Sequence, residues 1–361
     1  MIRCLVVDDA RTFRAVMREI LSTAPGVEIV GEAGDGREAV ALVKTLRPDV
    51  VTMDVRMPNV DGLVALDEIM REVPTPVIVV SAEAGGEAQQ LSFRALQLGA
   101  IEVLAKPRDP GTPRFDRQAE AIRLAVRAVA GLVLVGRRRP TLSQLPAVTP
   151  VYGSPRPEPL GSPRAAPAGS PEVVAIAAST GGPPALATLL AGLPRDLAVP
   201  ILVVQHISPG FEAGLAKWLA TTSRLDVRVA EDGAVLRHGT VYLAMDGRHL
   251  GVGGHRILLG DEPPIEGFRP SATHLFASIA REYGARSAGF VLTGMGRDGA
   301  AGLALMRGAG AYTAAQSASS SVIFGMPKAA LESGAAERVL DLDEVAGEIR
   351  RLVGDRRGSG E

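Results

Sequence analysis

Residues 173–193 read VVAIAASTGGPPALATLLAGL. Six apolar residues, half of them β-branched, run into Ser179 and Thr180, then Gly181 and Gly182, then two prolines and a Leu/Ala segment. An unbroken apolar run bounded by glycine reads as a buried strand, glycine permits a tight turn, and proline suits a first helical turn. The spacing predicts strand, turn and helix, with a serine hydroxyl at the turn.

The same alternation continues on both sides. C-terminal to it come PILVVQH (200–206), helical FEAGLAKWLATTS, then DVRVAED, VYLAM and a Gly-rich hairpin pattern, HLGVGGHRILLG (249–260). Helical ATHLFASIAREYG, strand AGFVLTG, helical AAGLALMRGAG, strand AYTAAQ and a helical segment near 343–353 follow. Towards the N-terminus, RCLVV, VEIVGEA, DVVTM, PVIVVSA and IEVLAKP alternate with helical segments as five strand–helix units. Such alternation predicts α/β domains with parallel sheets. We expect a doubly wound (βα)5 domain over residues 1–131 and a second α/β domain, with a small β-hairpin, over 172–361. Residues 132–171 are rich in Pro, Gly, Ser and Arg and lack apolar period from 136 onward, which predicts a linker.

Composition narrows the function. A chain of 361 residues exceeds what one core usually serves, and a net charge of -1 gives no electrostatic footprint for nucleic acid. Cys4 is the only cysteine, so no intramolecular disulfide is expected. The opening MIRCLVVDDA reaches two aspartates after a short apolar run, unlike a secretory leader, so a cytoplasmic location is expected. The apolar segment 128–136, flanked by Arg127 and Arg137, falls short of the ~20 residues of a spanning helix, and no membrane insertion is expected.

Asp8 and Asp9 end the first predicted strand and Asp54 the third, which places three carboxylates at the carboxyl edge where open α/β sheets bind ligands. Converging carboxylates repel one another unless a cation is present, and hard oxygen ligands in this number suit Mg²⁺. Ser81 and Lys106, at the ends of the fourth and fifth strands, add a hydroxyl and an ammonium able to bind phosphoryl oxygens. Asp54 is the natural phosphoacceptor of this set.

In the second domain a serine nucleophile needs a base. His206 ends the strand after Ser179, and Asp298 follows AGFVLTG within GMGRDG. Ser179 would attack a carbonyl, His206 would take and return its proton, and Asp298 would hold the imidazole tautomer. Amides at the start of the following helix, around Gly181, would face an oxyanion. Taken singly, each residue also fits a cap, a core histidine or a loop aspartate. A phosphate-cradling reading of ASTGG lacks the lysine or second spaced glycine of known phosphate loops. His238, His249, His255 and His274 lack metal-ligand spacing, so no zinc site or other esterase cofactor is expected.

The segments VVDDA, MDVRMPNVDG, VVSAEA and LAKP resemble the response-regulator receiver domain over residues 1–131. That resemblance implies Mg²⁺ held by Asp9, Asp54 and the main-chain carbonyl of Arg56, with Asp8 assisting. It also implies phosphoryl transfer to Asp54 from a histidine kinase of the CheA type, sensed by Ser81 and Lys106. Val103 departs from the pattern, because an aromatic switch residue usually stands three before the lysine.

IAASTGGPPAL, VVQHISPGF, EDGAVLRHGTVYLAMDGRH, GFRPSATHLF, VLTGMGRDGAAG and IFGMPKAAL resemble the catalytic domain of the CheB chemotaxis methylesterases over residues 172–353. The resemblance implies hydrolysis of glutamate γ-methyl esters on methyl-accepting chemotaxis receptors, releasing methanol, and deamidation of receptor glutamines. It maps Ser179, His206 and Asp298 onto a triad, and places Thr180 and the main-chain amide of Met295 near the reacting group. It further implies a receiver that covers the catalytic face until phosphorylated. Thr273 stands where an aspartate is usual, and Ser317-Ala318 replaces a polar–acidic pair. The alternative is a phosphorylation-dependent binding module, or a paralogue serving another signalling pathway.

Overall fold

The computed structural model describes residues 1–57, 61–81, 87–130, 132 and 170–354, so nearly all of the expected linker lies outside the described residues. The chain divides into two compact units, each carrying a parallel sheet.

The first unit runs β1 (Ile2–Val7), α1 (Arg11–Ser22), β2 (Val27–Ala33), α2 (Gly36–Leu46), β3 (Val50–Met53), α3 (Gly62–Glu72), β4 (Val77–Ser81), α4 (Glu87–Leu98), β5 (Glu102–Ala105) and α5 (Pro113–Val129). Its strand order is β2-β1-β3-β4-β5, parallel throughout. Strands β3 and β4 are buried along their whole length, as a sheet covered on both faces requires. Met17, Ile20 and Leu21 form the buried stripe of α1, as its helical period predicts. Local chemistry sets the helix starts: Asp35 accepts from the Glu38 amide at 2.9 Å, and Thr112 caps α5 with Pro113 in the first turn. Cys4 is buried on β1.

The second unit begins with β6 (Val173–Ala178), α6 (Gly182–Ala191), β7 (Ile201–Gln205), α7 (Glu212–Thr222), β8 (Asp226–Val229) and β9 (Thr240–Leu243). An antiparallel ribbon, β10 (His249–Gly253) and β11 (Arg256–Gly260), realises the predicted hairpin. Its two connecting residues, Gly254 and His255, take φ of +57° and +60°, the backbone of a type I′ turn. Then follow α8 (Ala272–Tyr283), β12 (Ser287–Val291), α9 (Ala300–Gly308), β13 (Tyr312–Gln316), α10 (Met326–Glu332), β14 (Arg338–Leu340) and α11 (Leu342–Val353).

The seven strands lie in the order β14-β13-β12-β6-β7-β9-β8, all parallel. From β6 the chain builds outward through β7, then returns to β12 on the other side of β6. This reversal opens a crevice at the carboxyl ends of β6 and its neighbours, the place where open α/β sheets bind ligands. The sequence pattern had not marked α10 or β14. The helix is short with Pro327 in its first turn, and the strand is a three-residue sheet edge whose side chains are mostly exposed, so neither carries an apolar period. Among the described residues no helix is long and apolar enough to cross a membrane.

Helices α8 and α9 cross where a glycine is required. A Cβ on Gly302 would lie 2.5 Å from the Thr273 carbonyl oxygen and 2.8 Å from Phe276 Cβ, backbone and core that cannot swing away. Gly302→Ala is expected to destabilise this unit by about 1–3 kcal/mol, the usual cost of overpacking. An unchanged denaturant midpoint would show that the two helices separate freely.

Candidate active site and phosphoacceptor site

In the first unit β1 and β3 are neighbours at the point where strand order reverses, so Asp8, Asp9 and Asp54 leave the sheet at one edge. One carboxylate oxygen from each lies within 4.8 Å of the others. Carboxylate oxygens gathered this closely are the hard donors that Mg²⁺ takes, and these three residues would hold the ion with waters completing its shell. Lys106 Nζ lies 2.6 Å from both Asp8 Oδ2 and Asp54 Oδ2, and 4.6 Å above the Phe13 ring. Burial pushes the Asp8 carboxyl up, an effect that Lys106 only partly offsets. Burial lowers Lys106, but the two carboxylates outweigh it and hold the ammonium above its ordinary value.

The Arg56 amide donates to Asp54 Oδ1 at 3.1 Å, fixing the loop that carries the Arg56 carbonyl. Gly62 belongs to the same construction, since a Cβ there would lie 2.2 Å from the Asp54 carbonyl oxygen. Ser81 Oγ, at the end of β4, is buried and finds no hydrogen-bond partner among the described residues. A buried hydroxyl left unmatched beside an acidic cluster fits an oxygen-rich group arriving there. Val103 is buried within β5.

In the second unit Ser179 follows β6 and His206 follows β7, the adjacent parallel strand. The Ser179 amide donates to the Thr293 carbonyl at 3.0 Å, and its own carbonyl accepts from the Gly182 amide at 2.7 Å. Gln205 joins the two residues: its Nε2 donates to the Ser179 carbonyl at 2.8 Å and to the His206 carbonyl at 2.7 Å. Glycines let the chain close in around the serine. A Cβ on Gly294 would lie 2.7 Å from Ser179 Cβ, and one on Gly181, at φ +75°, would lie 2.6 Å from Val322 Cβ. Among the described residues, the main-chain N–H groups of Thr180, Gly181 and Met295 donate to no protein acceptor.

Asp298 is 1% exposed and fully engaged. Its Oδ1 accepts from Ser271 Oγ at 2.7 Å and the Thr273 amide at 3.0 Å. Its Oδ2 accepts from the Ala272 amide at 2.7 Å and lies 2.9 Å from His206 Nε2. Three of these donors belong to the N-terminus of α8 and its Ser271 cap, where amides and dipole favour an anion. Burial pushes the carboxyl up, but His206, Ser271 and the Thr273 amide outweigh it and bring it down to about 2. With Nε2 turned to Asp298, His206 presents Nδ1 as its other nitrogen, and that atom is buried with no hydrogen-bond partner among the described residues.

Every residue expected at the two sites is found at a carboxyl strand end or in the loop that follows one. Sequence spacing did not single out Gln205, Ser271 or Phe268, whose ring stacks on His206. Only the Ser271 cap had a local signal, a serine just before a helical segment. Thr273 does two jobs here: its amide serves Asp298, and its Oγ1 accepts from the Gly299 amide at 2.9 Å.

One parallel sheet brings a Ser, a His and an Asp to its switch point, the residue types of a serine hydrolase, and the other brings an acidic cluster to its own. Residues 174–349 match the family model described as CheB methylesterase, and residues 4–112 match the response regulator receiver domain. A protein-glutamate methylesterase/protein-glutamine glutaminase of Myxococcus xanthus strain DK1622 is 48% identical over 360 residues, covering 99% of this chain and 98% of that protein. One from Anaeromyxobacter dehalogenans strain 2CP-C is 45% identical, covering 98% of this chain and 97% of that protein. The crystal structure of the Thermotoga maritima CheB methylesterase catalytic domain is 35% identical and covers 51% of this chain and 99% of that one, with a TM-score of 0.49. The chain belongs to the CheB methylesterase family.

Because the folded Asp298 value lies below the ordinary 3.8, its contribution to stability is complete above that pH and is lost as pH falls through about 2. The shift corresponds to something on the order of 2 kcal/mol. Asp298→Asn should therefore narrow the stability gap to the parent as pH drops from ~5 towards ~2.5. Parallel denaturant midpoints that keep a constant gap over that range would refute the charged, hydrogen-bonded carboxylate.

Proposed function

We propose that this chain is a phosphorylation-activated esterase that hydrolyses glutamate γ-methyl esters on chemoreceptors, and deamidates receptor glutamines, during chemotaxis adaptation. The observation that carries the reading is the His206 Nε2 to Asp298 Oδ2 contact of 2.9 Å at the strand end beside Ser179. It leaves a lone pair on His206 Nδ1 to accept the serine proton.

Ser179 Oγ attacks the ester carbonyl as His206 Nδ1 takes its proton, and Asp298 stabilises the imidazolium. The amides of Thr180, Gly181 and Met295 supply donors for the oxyanion. Collapse expels the methoxy group, which leaves as methanol with the proton held on His206. Water, deprotonated by the same nitrogen, then cleaves the acyl-serine to give the glutamate carboxylate and restore Ser179. With a glutamine substrate the leaving group is ammonia.

In the first unit Asp54 is the phosphoacceptor, and a CheA-type histidine kinase is the donor. Asp9, Asp54 and the Arg56 carbonyl would hold Mg²⁺, with Asp8 assisting. The ion offsets negative charge on the transferring phosphoryl group when bound. Lys106 and Ser81 Oγ take phosphoryl oxygens, which draws Lys106 from its Asp8 contact. With Val103 small and buried, rotation of a large ring at that position does not relay this change. The unphosphorylated receiver restrains the esterase, and phosphorylation shifts the population towards the active form. The domain limits 1–131 and 172–361, the linker between them and a cytoplasmic location complete the reading.

Methanol release from membranes carrying radiolabelled methylated receptors tests both halves. Ser179→Ala should lower kcat by as much as ~10⁶, the loss known for triad nucleophiles. Asp54→Ala should abolish stimulation by a small phosphodonor with Mg²⁺. Parental turnover in the first variant would remove the serine mechanism, and retained stimulation in the second would remove Asp54 as acceptor.

A further inference from the structure

Asp298 is anchored by three donors besides His206, whereas the described hydrogen bonds of the imidazole ring number one, its Nε2 contact to Asp298. A ring tethered at one edge can still pivot about that contact. Its second constraint is a face contact. The Phe268 ring lies parallel to the His206 ring, 7° between planes and 4.1 Å between centroids.

Phe268 is itself held by a tight local device. Ile265 and Phe268 exchange both backbone hydrogen bonds, at 3.1 and 2.9 Å. The two residues between them, Glu266 and Gly267, take φ of +50° and +86°, as a type I′ turn demands. Glycine accepts that conformation freely, but glutamate rarely does, so the turn is held by its surroundings. Three residues beyond Phe268 stands Ser271, the cap that holds Asp298. A single short segment therefore carries both the ring on His206 and the hydroxyl on its carboxylate partner.

We infer that Phe268 is a positioning residue for the esterase reaction: stacking fixes the His206 ring with Nε2–H on Asp298 and Nδ1 towards the serine. This rests on the reading of His206 as the general base. Parallel stacking blocks rotation of the imidazole out of its plane and shields one face from water. Shielding strengthens the bond to Asp298, and the negative face of the benzene ring favours the imidazolium formed in each proton transfer.

The full chain, labelled with ¹⁵N-histidine, tests this by two readouts on the same preparations. Long-range ¹H–¹⁵N spectra, with His206→Gln to assign the signals, report which ring nitrogen carries the proton. Methanol release from radiolabelled receptor membranes reports kcat and KM. The parent should show one neutral tautomer, protonated at Nε2. Phe268→Leu should mix the tautomers and lower kcat about three- to tenfold with KM unchanged, in keeping with the strength of aromatic pairs. Phe268→Tyr should restore both properties, and Phe268→Met replaces the leucine variant if that one fails to fold. Parental His206 signals in the leucine or methionine variant overturn the proposal, whatever the turnover. If the parent releases no more methanol than Ser179→Ala, the esterase reading fails instead, and the His206 signals still decide the positioning role.

Discussion

The second unit depends on the way a charged Asp298 is kept in a buried place. Removing a carboxylate from water is costly unless hydrogen bonds replace its hydration. Here the start of α8 replaces it, through the Ser271 hydroxyl and the amides of Ala272 and Thr273. That requirement fixes the entry of α8, the loop after β12 and the Gly302 crossing that lets α8 and α9 approach. The imidazole of His206 then meets a carboxylate already fixed in place, so little rearrangement is needed when the ring becomes charged.

The first unit solves a related problem differently. Asp8, Asp9 and Asp54 crowd one sheet edge, and Lys106 spans Asp8 and Asp54. Asp298 is held by neutral donors around a permanent charge. The acidic cluster is held by a single ammonium on a long lysine stem, which can give way when other charges arrive. One arrangement favours constancy and the other exchange.

Much of this could be read from the chain before folding. Strand ends, glycine turns and first-turn prolines are local signals, and they located Ser179, His206, Asp8, Asp54 and Lys106 at carboxyl edges. The antiparallel ribbon around Gly254 was legible for the same reason. Contacts between distant segments were not. His206 and Asp298 are 92 residues apart, and Ser271 reaches Asp298 across 27. Gln205 looked like the last residue of a buried strand, and only the folded backbone gives its amide two carbonyls to serve. Helix α10 and strand β14 were too short for periodicity to show. Family resemblance, which reads residues by motif, supplied the roles of Arg56, Thr180 and Met295 that spacing alone did not.

The Gln205 side chain also limits which sequences can replace this one. Its Nε2 bridges Ser179 and His206, while its buried Oε1 lies so close to Gly182 that a Cβ there would be 2.0 Å away. A larger residue at 182 needs a shorter one at 205, and a shorter one at 205 takes this donor from both carbonyls, leaving Ser179 only the Gly182 amide. Neither position can change first without loss, so drift at this pair must pass through an impaired intermediate or not occur. The turn after β6 and the end of β7, separate in the chain, are thereby bound to a common mutational fate.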